Sequence, residues 1–160
     1  MKASSVVKLL LAIGVSFCAS FIGSVATFSG DSFDWYQALE KPFFTPPGWV
    51  FGPVWTLLYL MMGIAAFLVW QKGLTDSRVR IALACFIVQL IFNAAWSVIF
   101  FGFHSAGWAL VDIILLWFAI LATVVSFWRV DRVAAGLLLP YIGWVSFAAI
   151  LNAGLYLLNR

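Results

Sequence analysis

Charge is the scarcest property of this chain. Only 9% of its 160 residues are Asp, Glu, Lys or Arg, against about 25% in an ordinary globular domain, and 65% are hydrophobic, against roughly 45–50%. That balance excludes a water-soluble fold and makes lipid the solvent for most of the surface. The nine Lys and Arg are scattered between long apolar runs, so they form no basic stripe for a nucleic-acid backbone; the net charge of +3 is read instead as a topology signal. Histidine occurs once, as His104, and cysteine twice, as Cys18 and Cys85, with no CxxC and no Cys/His cluster. A protein-built metal site is therefore not expected, no resident cofactor is implied, and the cysteines read as small packing residues. No acid/base pair or activated nucleophile stands out either.

What is present is length without interruption. A hydrocarbon core about 30 Å thick needs roughly 20 apolar residues of helix, and five segments qualify, approximately 6–28, 48–70, 80–101, 106–128 and 133–158. They are too long and too continuously apolar for barrel strands. The fold class expected is an all-α integral membrane protein, one domain built as a bundle of five transmembrane helices. Lys2 and Lys8 before the first run, with Ser24-Val25-Ala26 near its end, resemble a secretory signal. The run exceeds a signal's usual apolar length, and Ala12, Ser16, Ser20 and Ser24 recur every four residues as a small-residue packing face, so a retained first helix is expected. Lys2, Lys8, Lys72, Arg78, Arg80, Arg129 and Arg132 fall on the amino-terminal side, against Lys41 and Arg160 on the other. For insertion into a cytoplasmic-type membrane such as a bacterial cell membrane, the positive-inside rule then puts the amino terminus in the cytoplasm.

Several residues do not suit lipid. Asp112 lies a few residues into the fourth span, at a cost of about 2.5–3.5 kcal/mol if it sat at a helix centre; it is either an interface acid paired with a neighbour or helix-end amide, or a ligand-facing group. Gln89, Asn93, Trp96 and Phe100 share one face of the third span at helical spacing. That face must look inward, for interhelical hydrogen bonding or for a ligand. Trp144, Ala148 and Asn152 share a face of the last span, after Pro140, and Trp55 and Tyr59 are one turn apart on the second. Planar rings on inward faces could clasp a flat apolar molecule by stacking. Trp35, Trp70, Trp108 and Trp128, near span ends or loops, suit interfacial anchoring instead.

The longest connection, 29–47, ends in KPFFTPPGW. Proline fixes φ and drives its predecessor away from helix, so Pro42, Pro46 and Pro47 should hold this loop extended until Gly48 or Trp49 opens the second span, with Pro53 near its first turn. A stiff loop of this kind, Trp49 included, can cap the mouth of the bundle with little ordering cost.

WYQALEKPFFTPPGWVFGPVWTLLYLMMG, QLIFNAAWSVIFFG, GWALVD and PYIGWVSFAAILN resemble, in order and at matching spacing, the tryptophan-rich sensory protein and translocator protein family, from Trp35 to Asn152. The resemblance implies a five-helix bundle, commonly a homodimer, with a cavity capped by the first loop. It implies as ligands porphyrins, notably protoporphyrin IX, and isoquinoline or benzodiazepine compounds, with sterols for mitochondrial members. The family's cavity tryptophans fall on Trp55 and Trp144 and its ligand-lining alanine on Ala148, while Tyr59, Asn93, Trp96 and Asp112 occupy matching blocks. Some bacterial members imply light-dependent breakdown of protoporphyrin IX through those two tryptophans, which would make them catalytic. The family's proposed sterol motif is matched loosely by Leu151, Tyr156 and Arg160, but Ala153 stands where mitochondrial members have tyrosine.

Binding of tetrapyrroles for sensing, sequestration or transport is the leading expectation, with photochemical degradation the alternative and a sterol- or lipid-binding translocator a further one. The spans show no duplicated halves of the kind common in transporters.

Overall fold

The computed structural model describes residues 3–160; Lys2, counted above among the basic residues, lies outside them. The described chain is helical, with α1 Ala3–Phe28, α2 Ser32–Ala38, α3 Phe51–Gln71, α4 Ser77–Ser97, α5 Ala106–Trp128, α6 Arg132–Leu137 and α7 Leu139–Leu158. Five stretches are long and apolar enough to cross a membrane: Ser5–Phe28, Gly48–Gln71, Ser77–Gly102, Ala106–Trp128 and Arg132–Leu158. These agree with the spans read from the sequence to within a few residues at each end.

Local chemistry sets the boundaries. Asp76 caps α4 by accepting from the Arg78 amide at 2.8 Å, and Asp131 caps α6 by accepting from the amides of Val133 and Ala134, both at 3.0 Å; such caps satisfy donors that have no partner within the helix. The last span breaks at Leu138, just before Pro140, whose ring nitrogen has no hydrogen to return to the preceding turn. The third span ends in a π-helical turn, Val98–Gly102, closed by the Phe103 amide on the Val98 carbonyl at 3.0 Å.

Backbone contacts run from α3 to α1, α1 to α4, α4 to α5, α5 to α7, and back through α6 to α3. The ring of helices therefore closes by α3 approaching α6, while between α3 and α7 large side chains fill the space. The α1–α3 contact is close: a Cβ on Gly63 would lie 2.6 Å from Ile13 Cα. The buried small residues of α1 are Ala12, Ser16, Ala19, Gly23 and Ala26, and this corrects the four-residue row expected from the sequence. At 3.6 residues per turn, each step of four rotates about 40° around the helix, so Ser20 is only half-buried and Ser24 is exposed. Alternating steps of four and three keep the seam facing its neighbours.

The first loop is also not extended throughout. Its first half forms α2, held where the Ser32 hydroxyl donates to the Phe101 carbonyl at 3.0 Å and where Trp35 stacks on His104 at 4.7 Å and meets Phe100 edge-on at 5.4 Å. The prolines govern only the second half. There Pro42 is buried, its Cγ lying 2.6 Å from where a Cβ on Gly154 would be, and Pro47 (φ −55°, ψ 140°) leads into a single 3-10 turn, Gly48–Val50.

Candidate functional site

Between α3 and α7, and at the loop above them, aromatic rings form two connected runs. Trp55 stacks on Tyr59 at 5.6 Å and 29° and meets Tyr141 edge-on at 6.3 Å. One turn earlier Phe51 meets Trp144 at 5.9 Å and 72°; Trp144 meets Phe147 at 5.5 Å, and Phe147 meets Phe44 of the loop at 6.4 Å. The second run carries the wall from α3 across to α7 and up into the proline segment. Offset and edge-on ring pairs of this kind are favourable beyond their buried area.

Behind this wall lies a buried polar chain. Tyr59 donates to Asn93 Oδ1, Asn93 Nδ2 donates to the Tyr141 hydroxyl at 3.0 Å, Tyr141 donates to Gln89 Oε1 at 2.8 Å, and Gln89 Nε2 points to Met62 Sδ at 3.8 Å. Three helices, α3, α4 and α7, are joined through it. Trp144 is different: its indole nitrogen is buried and donates to nothing. Trp117, also partly buried, donates its indole N–H to Ser146 at 2.8 Å.

The sequence candidates therefore separate into groups. Trp55, Tyr59 and Asn93 come together directly, while Trp144 lies in the second run against Phe51 and Phe147, with Ala148 half-buried one turn farther along α7. Trp96 is held elsewhere, stacked on Phe100 at 5.1 Å and donating to Asn152 Oδ1 at 3.0 Å, while Asn152 Nδ2 donates to the Ala106 carbonyl at 2.8 Å. That pair clips α7 to the ends of α4 and α5. Asp112 is on neither; it lines a groove with Ile99, Phe103, Ser105, Trp108, Val111 and Leu115. Of the proposed cap, Pro42 and Pro46 are buried or partly so, Pro47 is exposed, and Trp49 is 76% exposed and projects off the bundle. Leu151 is buried in the packing whereas Tyr156 and Arg160 are exposed, so the three loose sterol-motif residues do not share a face.

Four residues in this wall were not singled out from the sequence: Phe44, Phe51, Tyr141 and Phe147. Two of them carried a usable signal, since Phe51 precedes Trp55 by one turn and Tyr141 puts a phenol inside an apolar span directly after Pro140. Among the described residues no group of three His, Cys, Asp or Glu is placed to hold a metal ion.

Comparison with known proteins agrees with this architecture. The TspO/MBR family model matches residues 10–157. A tryptophan-rich protein TspO from Archaeoglobus fulgidus is 45% identical over 97% of this chain and 99% of its own length. The human translocator protein is 44% identical over 82% of this chain and 78% of its own, and a tryptophan-rich sensory protein from Cereibacter sphaeroides is 38% identical over 74% and 73%. With the match running through every span and through the loop that meets the ring wall, the chain belongs to the TspO/MBR family of multi-pass membrane proteins.

Proposed function

We propose that this membrane receptor or sensor protein binds flat tetrapyrroles, protoporphyrin IX first among them, against the rings between α3 and α7. The observation that carries the reading is the Trp144 indole N–H, buried among Phe51 and Phe147 with no acceptor. An unused buried donor costs about 1–3 kcal/mol, and a ligand carrying a carbonyl or carboxylate on a planar apolar frame would supply both the missing acceptor and the stacking surface. Isoquinoline- and benzodiazepine-type compounds, which combine a flat aromatic ring with a carbonyl or ring nitrogen, offer the same two features.

The test is a dark titration of the purified protein with protoporphyrin IX, following tryptophan fluorescence and porphyrin absorbance, with Trp144→Phe in parallel. Saturable binding that weakens by about tenfold in the variant is expected, one lost hydrogen bond with its stacking partner being worth roughly that factor. Undiminished binding in Trp144→Phe would remove the proposed site.

A photochemical reading has an observation of its own. Trp55 contacts both Tyr59 and Tyr141, so an indole oxidised beside an illuminated porphyrin would have phenols in contact to re-reduce it. Illumination in air should then give a protein-dependent product lost in Trp55→Phe and Trp144→Phe; equal bleaching of free porphyrin in detergent would end that reading. For topology we infer an amino terminus in the cytoplasm. Lys8 lies over the Trp70 ring at 5.6 Å and Lys72 pairs with Asp131 at 2.9 Å, which gathers these basic residues at one end of the bundle.

A further inference from the structure

We propose that the groove between the π-helical turn and α5 is a second binding site, facing the membrane, for a lipid-soluble amine whose ammonium group pairs with Asp112. Asp112 is only 6% exposed and its Oδ2 atom has no hydrogen-bond partner. It stands in none of the ion pairs among the described residues. The groove it lines has a volume of about 290 Å³, near the lower end of small-molecule sites at roughly 300–1,000 Å³. The other walls are Ile99, Phe103, Val111 and Leu115, with Trp108 at the rim, 71% exposed, and Ser105 the one further polar residue.

Each feature restricts the occupant. A carboxyl group held in an apolar wall without a partner is costly, and a cation that brings its own hydrogen-bond donors relieves that cost. A protonated amine does so with up to three donors, whereas an alcohol offers one and no charge. The apolar walls and the exposed, outward-facing Phe103, Val111 and Leu115 suit an alkyl chain arriving from lipid rather than a solute arriving from water. The Ser105 hydroxyl caps α5, accepting from the Trp108 amide at 3.4 Å, and carries no charge, so Asp112 is the one anionic group in the groove. The π-helical turn Val98–Gly102 contributes Ile99 to the groove, and Phe103 follows directly after it. The site is independent of the tetrapyrrole reading and shares no residue with the ring wall.

The probe is hexadecylamine carrying a nitroxide on its chain, compared with the equally labelled hexadecanol, added to the full chain in phosphatidylcholine nanodiscs. Quenching is read as the part of the tryptophan fluorescence that Trp108→Phe lacks. The amine should quench that component saturably and at about tenfold lower concentration than the alcohol, as expected for a charge-assisted hydrogen bond. Asp112→Asn should bring the two probes together, and Val111→Phe, which fills the groove and keeps the carboxyl, should weaken both. Equal quenching by amine and alcohol in the wild type, or an amine preference that survives in Asp112→Asn, overturns the proposal. So does an absence of amine quenching accompanied by a changed monomer–dimer ratio in Asp112→Asn by sedimentation, which would assign the groove to contact between copies of the chain. Helical circular dichroism of each variant confirms that the bundle has folded.

Discussion

The side-chain amide of Asn159 brackets the backbone of Glu40, accepting from its N–H and donating to its carbonyl, both at 2.9 Å. One residue beyond the end of α7 thereby mimics a strand partner for the first loop, 119 positions away in sequence. With Pro42 against Gly154 two residues on, it is what ties the loop down at that end of the bundle. Asn159→Ala should therefore raise the exchange rate of the Glu40 amide by several-fold to about tenfold, one net hydrogen bond being worth about 1 kcal/mol. Unchanged exchange would show that the packing of Pro42 and Phe44 holds the loop without this clip.

Tyr141 is the hub of the buried chain, accepting from Asn93 and donating to Gln89. Replacing it by Phe keeps the ring against Trp55 but strands both amides, at a cost of about 1–3 kcal/mol in folding stability. Tyr59→Phe removes only one terminal donor and should cost less, near the average of about 0.6 kcal/mol for such bonds in membranes. Thermal unfolding of the two variants in one detergent decides the order, and a Tyr59→Phe loss equal to that of Tyr141→Phe would contradict it.

Two glycines of the α1–α3 pair make opposite predictions. A Cβ at Gly63 would sit 2.6 Å from Ile13 Cα, whereas one at Gly14 would meet nothing within 4 Å. Gly63→Ala should destabilise by about 1–3 kcal/mol through forced separation of the helices. Gly14→Ala should be neutral or stabilise by up to about 1 kcal/mol through helix propensity. The comparison needs only two unfolding curves.

At the opposite end from the loop, the Lys72 ammonium beside Asp131, together with the amides of Ala134 and Val133, holds its carboxyl below the usual carboxylate range. A folded-state pKa below the unfolded one contributes stability that is present above the unfolded value of about 3.9 and is lost as pH falls through the folded value. The unfolding midpoint should thus fall as the medium is acidified below about pH 4, and Asp131→Asn should flatten that part of the profile. A profile equally steep in the variant would assign the acid sensitivity elsewhere.

How much of this was legible beforehand follows from the kind of pattern each feature leaves. Span number and position follow from apolar run length, which lipid reads one residue at a time. The inward face of α4 was visible because Gln89 and Asn93 repeat at helical spacing in an otherwise apolar segment, and both are buried in the fold. The drift of the α1 seam away from Ser20 and Ser24 was hidden because a four-residue repeat and a four–three alternation share their first two members. Asp112 could be marked as anomalous but not placed, since its surroundings depend on a π-helical turn whose extra residue leaves no mark in the composition. The Asn159–Glu40 clip joins residues 119 positions apart, which no local window spans.

The chain from Tyr59 to Met62 has one direction, and its far end enforces it. A thioether has no hydrogen to give, so the Gln89 amide must turn its nitrogen toward Met62 and its oxygen toward Tyr141. Every later link inherits that orientation, until at the near end Tyr59 has spent its only proton on Asn93. The phenol beside Trp55 is therefore a lone pair without a hydrogen, open to an N–H or O–H and closed to a bare carboxylate. Met62, one turn from Tyr59 on α3, thus fixes the Tyr59 oxygen as an acceptor within the ring wall.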